Sequence, residues 1–315
     1  MIRTTRRNVL TQIATHSPHP NVPIRLLIDL TPLDKTGKFR HLSHPNTDPD
    51  SPNRWVRMLN GRLRLHLVIL FIVIGEWRVP WSFRIWRGKQ ESKLFATVPQ
   101  PLVQGRTVIV QADTEFGTVD FLNAVRQRRW RAVVGMKNNR LLQDGHHLKD
   151  LPGHVKQGVQ VYLKDIDYPL TVSWFWLKRA VHKRERRFVV SSHPYSGVYL
   201  IRLGRKRWAI EGFFKTVKHQ FGLHCFGQRT KIGVYRWLIL SLLTYLLAHW
   251  IDRWSWPPFW DWKATARLTL EKLFPSMLWV KLLRELKLNS HIAAQYGFEI
   301  IIRRPDNAYR EGCKI

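Results

Sequence analysis

Apolar residues gather in short unbroken runs through the first half of the chain and in helical stripes through the last third, a pattern that predicts a mixed α/β protein. Ile24 to Thr31, rich in Leu and Ile, reads as a buried strand ending at Asp29. Arg64 to Glu76 is apolar and β-branched over a length that suits a strand, and Gly75 punctuates its end. The alternation from Val79 to Arg87 supplies a hairpin partner. Thr107 to Ala112 reads as a second buried strand, followed by a turn at Asp113, a helix from Thr118 to Arg128 and a strand from Ala132 to Lys137. Strand, helix, strand in that order implies a parallel crossover.

Between Asn138 and His193 the pattern shortens to alternating segments broken by Gly, Pro and Asp, as expected of a β-rich insertion. From Tyr199 onward it turns helical, with WLILSLLTYLLAHWI as a core helix and ATARLTLEKLF and WVKLLRELK as amphipathic ones. The expected organisation is a polar tail or linker over residues 1–22, a catalytic core over 23–137 and 197–250, an insertion over 138–196 and a helical region over 251–315. Residues 41–54 are turn-rich and read as a loop.

Charge changes the picture. The 315 residues hold 52 Lys and Arg against 22 Asp and Glu, a formal charge of +30, so the expected partner is a polyanion. The basic residues are spread along the whole length instead of clustering beside one amphipathic helix, which favours nucleic acid over a membrane surface. Cys225 and Cys313, the only cysteines, lack CxxC spacing, and the 14 histidines, His146 and His147 included, form no zinc pattern. The apolar stretch from Trp237 to Trp250 is short for a bilayer span, and no export signal is legible, so a cytoplasmic, nucleoid-associated protein is expected.

Against that basic background three acids carry the candidate chemistry. Asp29 and Asp113 each end an apolar run, the position from which a sheet presents oxygen ligands at its edge. For either alone, a simple turn residue is an equally good reading. On a helical wheel Ile210, Phe214, Val217 and Phe221 form one apolar stripe, with Arg207, Glu211 and Lys218 together on its margin. That margin suits a carboxylate reaching the end of a sheet and cations holding phosphate. It equally suits a solvated face with an Arg207–Glu211 pair worth a few tenths of a kcal/mol.

Three motifs in order carry a resemblance over residues 24–250. Asp29 and Thr31 give D-x-T, Asp113 and Phe116 give D-x-x-F, and Arg207, Glu211 and Lys218 keep the Arg, three residues, Glu, six residues, Lys spacing around an RWxIE core. The chain thereby resembles the DDE transposases of bacterial insertion sequences, in the cut-and-paste group with a β-strand insertion domain. The resemblance implies a ribonuclease-H-like mixed sheet flanked by helices. It also implies two Mg²⁺ or Mn²⁺ ions held by Asp29, Asp113 and Glu211, DNA contacts by Arg207 and Lys218, and a homodimer on double-stranded transposon ends and target. Trp174 and Trp176 alternate along one strand and share a face, where relatives stack a flipped base, although packing of the sheet is the commoner use of such residues.

Two departures qualify the implied activity. The signature's tyrosine position holds Gly204, and only 28 residues precede Asp29, where relatives carry a helical DNA-binding domain. The expected activity is transposition by two-metal phosphoryl transfer. The alternatives are a nuclease of the same fold without strand transfer and an inactive DNA-binding remnant of a truncated element.

Overall fold

A computed structural model describes residues 2–15, 19, 21–34, 56–59, 62–86, 91–152, 157–180, 183–254 and 261–301. The expected loop at 41–54 lies outside them. In chain order the elements are α1 (Ile2–Thr15), β1 (Ile24–Asp34), β2 (Val56–Leu59), β3 (Arg62–Ile74), β4 (Trp77–Ile85), α2 (Glu91–Phe95), α3 (Gln100–Val103), β5 (Val108–Ala112), α4 (Val119–Arg126) and β6 (Arg131–Met136). They continue with β7 (Val159–Val161), β8 (Leu170–Ala180), β9 (Lys183–Ser191), α5 (Gly197–Lys206), α6 (Ala209–Phe221), α7 (Lys231–Trp254), α8 (Trp262–Leu288) and α9 (Ser290–Gln295).

The strands form one nine-stranded mixed sheet in the order β2-β3-β1-β5-β6-β9-β8-β7, with β4 also paired to β3. The expected hairpin is present: Gly75 takes φ of 55° at the turn, a left-handed value that glycine adopts without a Cβ penalty, and β4 runs antiparallel to β3. β1 pairs antiparallel with β3 and parallel with β5, and β5 pairs parallel with β6 across α4. Every residue from Leu67 to Ile74 is buried, which explains why β3 is apolar on both faces instead of alternating. With flanking helices, this is the ribonuclease-H-like α/β architecture expected from the sequence.

Three expectations need correction. The first residues form α1 instead of a polar tail, because Val9 and Ile13 stand one turn apart and are both buried, while Arg6 donates to the Trp81 carbonyl at 3.2 Å. β1 does not end at Asp29 but runs to Asp34, pairing with β3 throughout. Its parallel ladder with β5 stops at Ile28, so Pro32, which has no N–H to give, sits where the strand has a partner on one side only. The strands after β6 also form no separate sheet: β9 pairs antiparallel with β6, and β8 and β7 extend the same sheet outward.

α7 is long and apolar enough, by length and composition, to cross a membrane, with a mean hydropathy of 1.4. Here Val234, Leu238, Leu242 and Tyr245 bury in the core, where Tyr245 meets Phe213 edge-on at 4.9 Å. Residues 1–249 form one compact unit and residues 250–315 a second. In the second, Asp261 caps α8 by accepting from the Lys263 amide at 3.0 Å, Pro275 lies within the helix, and Phe274, Leu278 and Trp279 are exposed.

Candidate active site

The parallel register places Ile28 opposite Ala112, so the next residues on the two strands, Asp29 and Asp113, stand side by side at the C-terminal end of β5. Asp113 leaves the strand as the cap of a single 3₁₀ turn, Thr114–Phe116, its Oδ1 accepting from the Glu115 amide at 2.7 Å. That turn lies directly on β6. A Cβ at Gly135 would sit 2.7 Å from Thr114 Oγ1, so only glycine lets the second acid's turn approach so closely.

Glu211 arrives on α6. The helix buries Ile210, Phe213, Phe214, Val217 and Phe221. Phe213 packs 4.5 Å from Phe71 of β3, a contact that fixes the rotation of α6 and leaves Glu211 on the margin. Arg207, between α5 and α6, then closes the site. Its Nη1 donates to Asp29 Oδ2 at 2.8 Å and its Nη2 to Glu211 Oε1 at 2.7 Å. The i, i+4 pair expected of a solvated face is therefore present, but it is half of a bridge from α6 to β1. The Arg207 side chain is only 16% exposed and that of Asp29 only 10%.

Burial pushes the Asp29 carboxyl up from 3.8 to about 6. Arg207 and the Leu30 amide pull it down, while Asp113 and Glu211 push it further up, so both other acids act on Asp29. Convergence of like charges with a single cation between them is costly without counter-charge, and oxygen donors of this kind suit hard divalent cations. Among the described residues no three His, Cys, Asp or Glu side chains stand close enough to hold a metal as they lie. The positive charge between Asp29 and Glu211 is the guanidinium of Arg207.

A cleft of about 260 Å³ opens over Asp113, Glu211 and Arg207, bordered by Thr114, Arg187, Gly204 and the exposed Trp208. A neighbouring recess of about 380 Å³ runs from Asp113 past Lys137, Asn138, Asn139 and Arg186. Sequence reasoning missed Arg187 and this recess, because no motif marks them, and Trp208, part of the RWxIE core, was not read as lining the site. The glycine in VVGMK was the one legible sign of the close turn.

The remaining candidates separate. Lys218 donates its Nζ to the Pro32 carbonyl at 3.0 Å, so its ammonium ties α6 to β1. Burial pushes that ammonium below its ordinary range. Trp174 is buried, with the Arg186 guanidinium 4.2 Å from its ring and Phe188 beside it, so its faces are spent on the protein. A base-stacking role for Trp174 does not fit that packing. Trp176 is 59% exposed. Gly204 packs against β9: a Cβ there would lie 3.2 Å from Val189 Cγ2, so a tyrosine at this position would press on Val189.

No curated protein sequence matches the chain. By fold it is similar to a piggyBac transposase solved as a synaptic complex with hairpin DNA, at 11% identity and a TM-score of 0.50 over 93% of this chain. The chain spans 61% of that protein's length. A family model described as a transposase DDE domain matches residues 87–247, just over half of the 315 and including Asp113, Arg207 and Glu211. Asp29 lies before that match, yet the sheet sets it beside Asp113 and Arg207 ties it to Glu211. The chain therefore belongs to the DDE transposases.

Proposed function

We propose that this chain is the catalytic part of a cut-and-paste transposase of the bacterial insertion-sequence type, cutting double-stranded DNA at transposon ends and joining the freed 3′ ends to a target. The observation that carries the reading is the placing of Asp29 beside Asp113 at one end of the sheet, with Arg207 linking Asp29 to Glu211, in a chain of net charge +30. Asp29, Asp113 and Glu211 would hold two Mg²⁺ or Mn²⁺ ions. Such ions supply Lewis-acid charge at the attacking and leaving oxygens of a phosphodiester.

The chain's own groups bind and orient the substrate. Arg207 offers a planar fork matched to phosphate, and Arg187 and Lys137 line the way into the acids. Trp176 offers an exposed ring for an unstacked base. Lys218 acts by fixing β1 against α6 instead of touching DNA. A homodimer on DNA, in the bacterial cytoplasm, fits this reading.

A second reading is favoured by one observation. Gly204 stands in the place of the signature tyrosine and packs on Val189, which suits a nuclease of the same fold that hydrolyses DNA without strand transfer. The experiment uses DNA carrying the sequences that flank the gene on both sides. Asp29→Asn, Asp113→Asn and Glu211→Gln are each expected to lower Mg²⁺-dependent nicking by about a thousandfold or more while salt-dependent DNA binding persists. Joined 3′ ends identify the transposase, and nicks without joining identify the nuclease. Nicking at the parental rate by any of the three variants removes that residue from the site.

A further inference from the structure

The guanidinium of Arg207 occupies the space between two acids that the proposed function assigns to a divalent cation. It donates one nitrogen to Asp29 and the other to Glu211, at 2.8 and 2.7 Å. A divalent ion brought to the same oxygens meets this fixed charge within a few ångströms, and at the Asp29 end little water screens the repulsion. The two cations therefore compete. Arg207 also has somewhere else to go. It sits at the junction where α5 ends at Lys206 and α6 begins at Ala209, and its side chain borders the cleft beside Asp113 and Thr114. A phosphate entering that cleft offers the same two-oxygen fork that Asp29 and Glu211 now supply.

Resting on that proposed function, we infer that Arg207 is an exchangeable counter-ion: it holds the acids assembled while DNA is absent, and its transfer to a DNA phosphate opens them to the divalent ion. Metal and DNA then bind with positive coupling, because each favours the arrangement in which Arg207 has left the acids. The bridge also gives Arg207 a positioning role, since it fastens α6 to β1 before either ligand arrives. The chain alone takes up metal poorly.

The test is Mn²⁺ binding to the full chain, measured by electron paramagnetic resonance of free Mn²⁺ with and without a generic DNA duplex. Asp29→Asn/Glu211→Gln chain with the same duplex supplies the background from ions condensed on DNA. Wild-type chain is expected to bind Mn²⁺ about tenfold more tightly with DNA than without, and DNA about tenfold more tightly with Mn²⁺, since the coupling is reciprocal. Arg207→Gln is expected to bind Mn²⁺ about tenfold more tightly than wild type without DNA and to lose most of the DNA dependence. The wild-type arm needs no variant, so a folding defect in Arg207→Gln leaves the inference testable. Mn²⁺ affinity that is equal with and without DNA in wild type, or unchanged or weaker in an Arg207→Gln chain that unfolds at the wild-type temperature, overturns the inference while metal binding that depends on Asp29 and Glu211 preserves the proposed function. Absence of acid-dependent Mn²⁺ binding in every arm removes both.

Discussion

The protein buries two ionisable groups in different ways, Asp29 at the acid-bearing end of the sheet and His249 in the apolar packing around α7. His249 accepts from the Arg78 amide at 3.2 Å and lies beside Trp77 and Tyr245. Burial, then Arg78, pushes its pKa from 6.5 to about 4, so it stays neutral at pH 7 and behaves as a core residue. Asp29 is pushed up to about 6 and remains charged at pH 7, facing two further acids and one shared arginine. A fold that needed only stability would neutralise such a residue or leave it out. Keeping the charge fits the proposed role of Asp29 as a ligand for a cation.

The largest expected effect tests whether the two regions are separable. Phe213 contacts Phe71 at 4.5 Å and Tyr245 at 4.9 Å, on the apolar side of the helix that carries Glu211. Phe213→Ala should cost about 3–5 kcal/mol of stability by urea unfolding. Nicking should fall with it, because α6 loses the contact that orients Glu211. Asp113→Asn, by contrast, should abolish nicking with stability nearly unchanged. Equal stability losses in both variants would erase the distinction.

A next, smaller effect is pH dependence without divalent ions. Folded Asp29 keeps its proton up to about pH 6, whereas the unfolded residue releases it near 3.8, so this group lowers stability as pH rises through that window. His249 acts with the opposite sign: the unfolded residue takes a proton at 6.5, the folded one only near 4, so stability is full above 6.5 and falls as pH drops toward 4. Each contribution is on the order of 3 kcal/mol. Wild-type unfolding free energy should therefore change little between about pH 4 and 6 from these two groups. Asp29→Asn should expose a steep loss on acidification, and His249→Gln a gain. Matching profiles in the two variants would contradict the assignment.

How much of this was legible in the sequence depends on distance along the chain. The β3–β4 hairpin, the β5–α4–β6 crossover and the apolar stripe of α6 rest on local periodicity, and they stand where the pattern placed them. The place of Glu211 on the margin of that stripe was legible for the same reason, whereas its role came only with the family resemblance. The run of β1 past Asp29 was hidden because Pro32 reads as a strand breaker until its one-sided pairing with β3 is known. α1 was hidden because only Val9 and Ile13 mark its buried face among polar residues. The bridge from Arg207 to Asp29 joins residues 178 positions apart, and no local rule predicts it. The continuation of the sheet through β9 is of the same kind, since pattern shows that a strand exists but not which edge it joins.

Smaller effects separate positions that the sequence treated alike. Gly204→Tyr restores the family signature, yet it forces α5 away from Val189 and should cost about 1–3 kcal/mol by thermal unfolding without raising strand transfer. Increased joining of 3′ ends would show instead that the glycine is a simple loss. Trp176→Ala should change stability by less than about 0.5 kcal/mol and weaken binding of DNA with unpaired bases by about 1 kcal/mol. Trp174→Ala should do the reverse, because that ring is spent under Arg186.

The central claim, that Asp29, Asp113 and Glu211 hold one set of divalent ions, is tested most directly by replacing Mg²⁺ with Fe²⁺ on the DNA-bound chain. Peroxide is then added and the sites of backbone scission are mapped. Radicals formed at the bound iron cut the nearest main chain. The account predicts three clusters of cuts, around β1 at Asp29, the turn after β5 at Asp113 and the first turn of α6 at Glu211, all suppressed by excess Mg²⁺. Cuts that omit any one of these segments, or that persist under excess Mg²⁺, would contradict it.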